Sequence, residues 1–154
     1  MEGVDDKALV ANQDPQDQLI AEFSKYSDWE SKYQAIIQLG KQLKALPEEL
    51  KTTDALVRGC QSQVWLHARL VNSNQGAQMV EFQADSDALI VRGLVAMLLK
   101  VYSGMPAKKI LETQPRFLTA IGLDKNLSPS RTNGLNAMLK QMKNFALVFS
   151  LTAP

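Results

Sequence analysis

Reactive sulfur and imidazole are almost missing from this sequence. Of 154 residues, one is cysteine, Cys60, and one is histidine, His67. A single thiol excludes an internal disulfide, a CxxC redox pair and any metal site built from several cysteines. Beyond Asp85 and Asp87, read as helix caps, no carboxylates cluster in a way that would complete a metal site. Long apolar runs are also absent: the longest, residues 94–99, is far shorter than the ~20 residues a membrane-spanning helix requires. The start, Met1-Glu2-Gly3-Val4-Asp5-Asp6, lacks the apolar core of a secretory signal. Seventeen basic residues against sixteen acidic ones, spread along the chain, leave a formal charge of +1 and no basic stripe. That balance argues against a nucleic-acid partner. A lone unpaired thiol suits a reducing compartment, so a cytoplasmic location is expected.

What is present reads as one α+β domain. An apolar content of 45% with 21% charged residues is ordinary for a globular chain. Residues 1–13 are polar and expected to be a flexible N-terminal segment, and 14–150 a single domain. Asp14-Pro15 caps a first helix whose face carries Leu19, Ile20, Phe23 and Tyr26. A second starts at Ser27 or Asp28, carries Trp29, Tyr33, Ile36, Ile37 and Leu43, and is predicted to end near Leu46-Pro47. Residues 48–54 read as a short helical turn or loop. The period then changes to two: Val64, Leu66, Ala68 and Leu70 alternate with Trp65, His67, Arg69 and Val71. Turn chemistry at residues 72–76 and renewed alternation at Val80, Phe82 and Ala84 complete a β-hairpin, with a third strand possible around Leu56-Val57. Asp85-Ser86-Asp87 supplies caps for a helix over 88–103 that is apolar on nearly every side and belongs at the centre. Short helices follow over 107–113 and 115–121. Ser128-Pro129 opens a last helix with Leu135, Met138, Leu139, Met142 and Phe145 or Ala146 as its buried stripe. Strands segregated from helices predict a small antiparallel sheet with helices packed on one face.

The chemistry centres on Arg58-Gly59-Cys60-Gln61-Ser62-Gln63. Free cysteine is usually an inert, buried small hydrophobe, but the polar flanks are untypical of a core strand, and Gly59 lets the backbone turn sharply. Together they place the thiol at the tip or mouth of a loop. Arg58 is near enough in sequence to favour a thiolate, although most such arginines are simply solvated. His67 is the one candidate base for a cysteine–histidine dyad, yet it lies in a predicted strand where a half-exposed histidine is the plainer reading. Arg92 interrupts an apolar helix and must find a partner or water. Asp85 or Asp87 could supply that partner; alternatively, the guanidinium reaches an anion near the thiol. Arg131 falls in the first turn of the last helix, where positive charge opposes the macrodipole at a cost of a few tenths of a kcal/mol. An anion or acidic group beside it would offset that cost; the plainer reading is an exposed arginine that tolerates it.

These segments resemble the SufE family of sulfur-acceptor proteins, including its paralogue CsdE. The resemblance spans about residues 23–142. It rests on Trp29-Glu30-Ser31-Lys32-Tyr33 with Leu39-Gly40, on Gly59-Cys60-Gln61-Ser62-Gln63-Val64-Trp65 and on Asp85-Ser86-Asp87-Ala88. Ile90-Val91-Arg92-Gly93-Leu94 and Leu127-Ser128-Pro129-Ser130-Arg131 before Gly134-Leu135 complete it. It implies the fold shared with IscU-type scaffolds, and a sulfur carrier on Cys60 that stimulates a SufS- or CsdA-type cysteine desulfurase. The carrier would pass its sulfur to a scaffold assembling iron–sulfur clusters and would hold no cofactor itself, the pyridoxal phosphate belonging to the desulfurase. Gly59, Gln61, Arg92, Arg131 and Asp85 are the residues expected to support the carrier. A hydrolase or transferase using His67, and a structural domain with Cys60 in its core, are the alternatives.

Overall fold

The structure is a computed structural model that describes residues 14–152; the segment 1–13, with its expected flexibility, lies outside them. Helix α1 (Pro15–Phe23) starts where Asp14 accepts a hydrogen bond from the Gln16 N–H at 2.7 Å. Helix α2 (Trp29–Gln42) starts in the same way on Asp28, whose carboxylate takes the Ser31 N–H. Its end differs from expectation. The helix stops at Gln42, four residues before Leu46-Pro47, and Leu43 is extended. Two side chains hold the chain out of the helix: Arg92 donates to the carbonyls of Gly40 (3.0 Å) and Leu43 (2.6 Å), and Asp85 accepts the Leu46 N–H (2.9 Å). Pro47 adds to this by disfavouring a helical Leu46. Two 3₁₀ turns follow, Glu48–Leu50 and Thr53–Ala55.

The hairpin forms as the alternation predicts. Strand β1 (Val64–Asn72) pairs antiparallel with β2 (Gln78–Ser86), from Val64 opposite Ser86 to Asn72 opposite Gln78. The third strand shrinks to one bridge between Leu56 and Trp65, with the Val57 N–H on the Val64 carbonyl. A 3₁₀ turn before Leu56 and the left-handed Gly59 (φ +96°) after it leave only that short extended piece. One sheet face, with Val64, Leu66 and Ala84, meets the helices; Trp65 on the other packs with Leu46 and Ala55.

Asp85 and Ser86 end strand β2 and do not cap the next helix. Helix α3 (Leu89–Tyr102) has Ala88 at its cap position with no side-chain cap. Asp87 is engaged with the Gln63 N–H instead. Ten of the fourteen residues of α3 are buried, Met97 and Tyr102 completely. At roughly 1.5–3 kcal/mol for each large apolar side chain removed from water, this helix is the main source of core stability. Its burial is not all round: Leu89 is 41% exposed, and Lys100 also faces solvent. Helix α2 crosses it so closely that a Cβ on Gly93 would run into the Ile36 carbonyl, which explains glycine inside both helices at the crossing. Short helices α4 (Ala107–Glu112), α5 (Phe117–Ile121) and α6 (Leu123–Asn126) lead to α7 (Pro129–Thr152), with the Ser128 hydroxyl taking the Arg131 N–H. The buried stripe of α7 is Gly134, Leu135, Met138, Met142 and Ala146; Leu139 and Phe145 are only partly covered.

Candidate functional site

Cys60 sits between the Leu56–Trp65 bridge and the start of β1, on a loop held at both ends. At one end the positive φ of Gly59 turns the chain, and a Cβ there would press on the Ala137 methyl at 3.3 Å. At the other, Gln63 donates its N–H to Asp87 (3.0 Å) and accepts the Ser86 hydroxyl on its carbonyl (2.7 Å). The side chain between these anchors points inward. Its Sγ donates to the Gly134 carbonyl at 3.5 Å and is half-buried. Helix α7 passes close to the loop at Gly134, where a Cβ would lie 3.5 Å from Sγ and 3.8 Å from the Cys60 Cβ, an ordinary van der Waals contact. Sequence reasoning did not find the Gly134 carbonyl as the partner of the thiol, because the two residues meet only through the packing of α7 on the loop.

The thiol opens into a cavity of about 380 Å³. Its walls are Gln61 and Ser62 from the loop, Val91 and Leu94 from α3, and Ser128, Ser130, Arg131, Leu135 and Met138 at or near the start of α7. The wall is thus apolar on one side, with hydroxyls and a guanidinium on the other. Arg131 forms no ion pair with any described residue. It stands with the N-terminus of α7, whose dipole also favours negative charge. Burial nevertheless pushes the Cys60 thiol above its ordinary pKa. In the inward position, then, burial favours the neutral thiol over its anion.

Of the residues singled out from sequence, Gly59, Cys60, Gln61 and Arg131 come together here. Arg92 and Asp85 do not line the cavity. Arg92 reaches Asp85 at 3.2 Å in addition to its two carbonyls, and Asp85, 1% exposed, also accepts the N–H groups of Leu46 and Ser86. Lys51 stands 3.8 Å from the same carboxylate and over the Trp65 ring. This buried cluster ties the chain after α2 to the end of β2 and to α3. It touches the thiol only at a remove, since Ser86, next to Asp85, holds Gln63. His67 belongs elsewhere again: its Nε2 lies 2.6 Å from the Leu50 carbonyl, beside Arg69 and Glu81. It lines no part of the Cys60 cavity. Arg58 is exposed. Val91, Leu94, Ser128 and Met138 were read from sequence only as core or cap positions, and the tertiary contacts alone assign them to the cavity wall. Among the described residues, no group of three or more His, Cys, Asp or Glu could hold a metal ion, and no helix is long and apolar enough to cross a membrane.

Comparison with known proteins bears on the family and the fold. The family model "SufE: Fe-S metabolism associated domain" matches residues 17–146. An uncharacterised SufE-like protein of Rhizobium etli is 44% identical over 133 residues, covering 86% of this chain and 89% of its own. One from Rhizobium meliloti is 39% identical, covering 84% and 93%. SufE-like protein 1 of Arabidopsis thaliana, named as chloroplastic/mitochondrial, is 38% identical over 84% of this chain but 34% of its own length. The solution structure of a hypothetical protein from Thermus thermophilus superposes with a TM-score of 0.69 over 90% of this chain and 97% of that one. At 20% identity, that likeness speaks for the α+β fold alone.

Proposed function

Because this chain belongs to the SufE family of Fe–S metabolism associated domains, we propose that it is a sulfur acceptor whose Cys60 takes sulfane sulfur from a cysteine desulfurase. The observation that carries this reading is the setting of Cys60. The chain's one thiol lies on an anchored loop, half-buried at a cavity of about 380 Å³, far more space than one added sulfur atom fills.

The exchange follows the rules of thiol–disulfide chemistry. The Cys60 thiolate attacks the terminal sulfur of the donor's persulfide. A bond forms between Sγ and that sulfur, the sulfur–sulfur bond on the donor breaks, and the donor leaves as a thiolate. No net oxidation occurs and no cofactor on this chain is needed. The inward thiol is a weak nucleophile because burial disfavours its anion. Transfer therefore requires Cys60 to leave the Gly134 carbonyl and ionise toward the partner. Returned to the cavity, the persulfide is shielded from stray thiols, with Arg131 and the start of α7 beside it as positive groups. Gly59 and Gln61 serve the movement of the loop, whereas Arg92 and Asp85 support it from the scaffold. The donor is a SufS- or CsdA-type desulfurase, which the chain also stimulates, and the recipient is a scaffold for iron–sulfur assembly. A cytoplasmic setting belongs to the same proposal. A Cys60–His67 dyad gains no support from a histidine bonded to Leu50 outside the cavity.

The test is intact-mass measurement after incubation with a candidate desulfurase and free cysteine. Wild-type protein should gain about 32 Da, reversed by reductant, as a sulfur–sulfur linkage requires. Cys60→Ser should gain nothing while folding normally. Failure of the wild type to gain mass beside every active donor would defeat the proposal.

A further inference from the structure

Strand β2 has β1 on one side only, so its other edge must find partners elsewhere. At Val80 it does: the N–H donates to the Met105 carbonyl and the carbonyl accepts from the Gly104 N–H, both at 2.8 Å. At Phe82, Ser103 substitutes for a strand, its hydroxyl taking the N–H at 2.9 Å and facing the carbonyl at 3.5 Å. The period of two places the N–H and C=O of Ala84 next in this outward row. No described group pairs with either of them. Ala84 is nevertheless only 5% exposed, and buried backbone groups are almost always paired.

Beside that gap lies space. A hollow of about 290 Å³ separates Phe82 to Ala84 from the chain at Leu43 to Pro47. It continues past Leu43 and Leu99 into a second hollow of about 360 Å³. The walls are mainly apolar, and their cations are Lys44 and Lys100. Their one acid, Glu81, is already held by Arg69 at 2.6 Å. Both lysines also stand near the C-terminal ends of α2 and α3, whose dipoles absorb part of their charge. The groove thus matches one or two carboxylates, not a run of them.

We propose that this groove is a second docking site, which takes an extended segment of a partner protein, apolar in its middle and acidic at its ends, by strand addition at Ala84. Main-chain pairing at Ala84 sets the register, and Lys44 and Lys100 select acidic flanks. The groove shares no lining residue with the Cys60 cavity, so both can be occupied at once. The proposal does not depend on the sulfur chemistry.

The test is a titration of the ¹⁵N-labelled full chain with the capped pentapeptide acetyl-Asp-Val-Ala-Val-Glu-amide, followed by amide shifts and hydrogen exchange. The Ala84 amide should shift most, and its exchange should slow by at least about tenfold at saturation. Lys44→Glu with Lys100→Glu should weaken binding by about tenfold or more, and Ala84→Pro, which lacks the N–H, should abolish it. The charge-reversed pair keeps the test decisive if the proline variant fails to fold. The lysine-flanked analogue of the peptide should not bind. The proposal is overturned if Ala84 does not respond, if shifts centre on the Cys60 cavity, or if the basic peptide binds equally well. It is also overturned if the Ala84 amide is already protected in the free chain, because the chain itself or a second copy would then fill the groove.

Discussion

Replacing Arg92 with alanine separates a scaffold role from a role at the thiol. The guanidinium makes three interactions: with the carbonyls of Gly40 and Leu43, and with the carboxylate of Asp85 at 3.2 Å. Removing it leaves Asp85, 1% exposed, with two backbone N–H groups and Lys51 at 3.8 Å. Breaking one side of a buried ion pair typically costs about 3–5 kcal/mol. The remaining partners of Asp85 place this case at the lower end, about 3 kcal/mol. For a domain of this size each kcal/mol moves Tm by roughly 2–4 °C, so Tm should fall by about 6–12 °C. Urea unfolding should give the same loss without a change in m. Adding Asp85→Asn to Arg92→Ala should cost much less than the sum of the single changes, because the two residues act as a unit. Arg131→Ala is the contrast. With no ion pair to break, it should alter Tm by no more than about 2 °C, yet slow sulfur acceptance by Cys60. An Arg92→Ala protein that melts within about 2 °C of wild type but accepts sulfur poorly would refute the scaffold assignment.

Alkylation of Cys60 by iodoacetamide should follow a pH profile displaced upward, because burial raises the thiol pKa. The reactive form is the anion, so at neutral pH the folded chain should react several-fold more slowly than a free cysteine, whose pKa is about 8.5, and urea should abolish the difference. A rate equal to that of the unfolded chain at neutral pH would contradict the inward seat. Two glycines offer an opposed pair. Gly134→Ala places its Cβ 3.5 Å from Sγ, an ordinary contact, and should gain up to about 1 kcal/mol of helix propensity. Gly93→Ala drives its Cβ into the Ile36 carbonyl and should lose about 3 kcal/mol or more, as severe overpacking does. Circular dichroism melts check both; equal effects would show that the α2–α3 crossing is looser than described.

Much of the architecture was legible because local signals agreed with the global fold. Asp14 and Asp28 cap as read, Ser128-Pro129 opens α7, and the period of two over β1 and β2 delivers the observed register. The misreadings share a cause. Asp85-Ser86-Asp87 has the composition of a cap, and α2 has the pattern to continue to Pro47. In each case a distant partner claimed the local group: the Asp85 carboxylate went to Leu46 and Arg92, and the carbonyls of Gly40 and Leu43 went to Arg92. Propensity is a weak prior against a buried ion pair.

Composition and spacing by themselves determined that this sequence has one thiol to work with, that it can form no disulfide within itself, and that polar neighbours and a glycine surround that thiol. They also determined the α+β class, since hydrophobic period is a local property. Only the packing of α7 against the loop decided what Cys60 faces, because Gly134 and Arg131 lie more than seventy residues away in sequence. Which arginine belongs to the cavity and which to the scaffold was likewise settled by three-dimensional contact. A charge in a sequence shows only that a partner is needed; the fold chooses the partner.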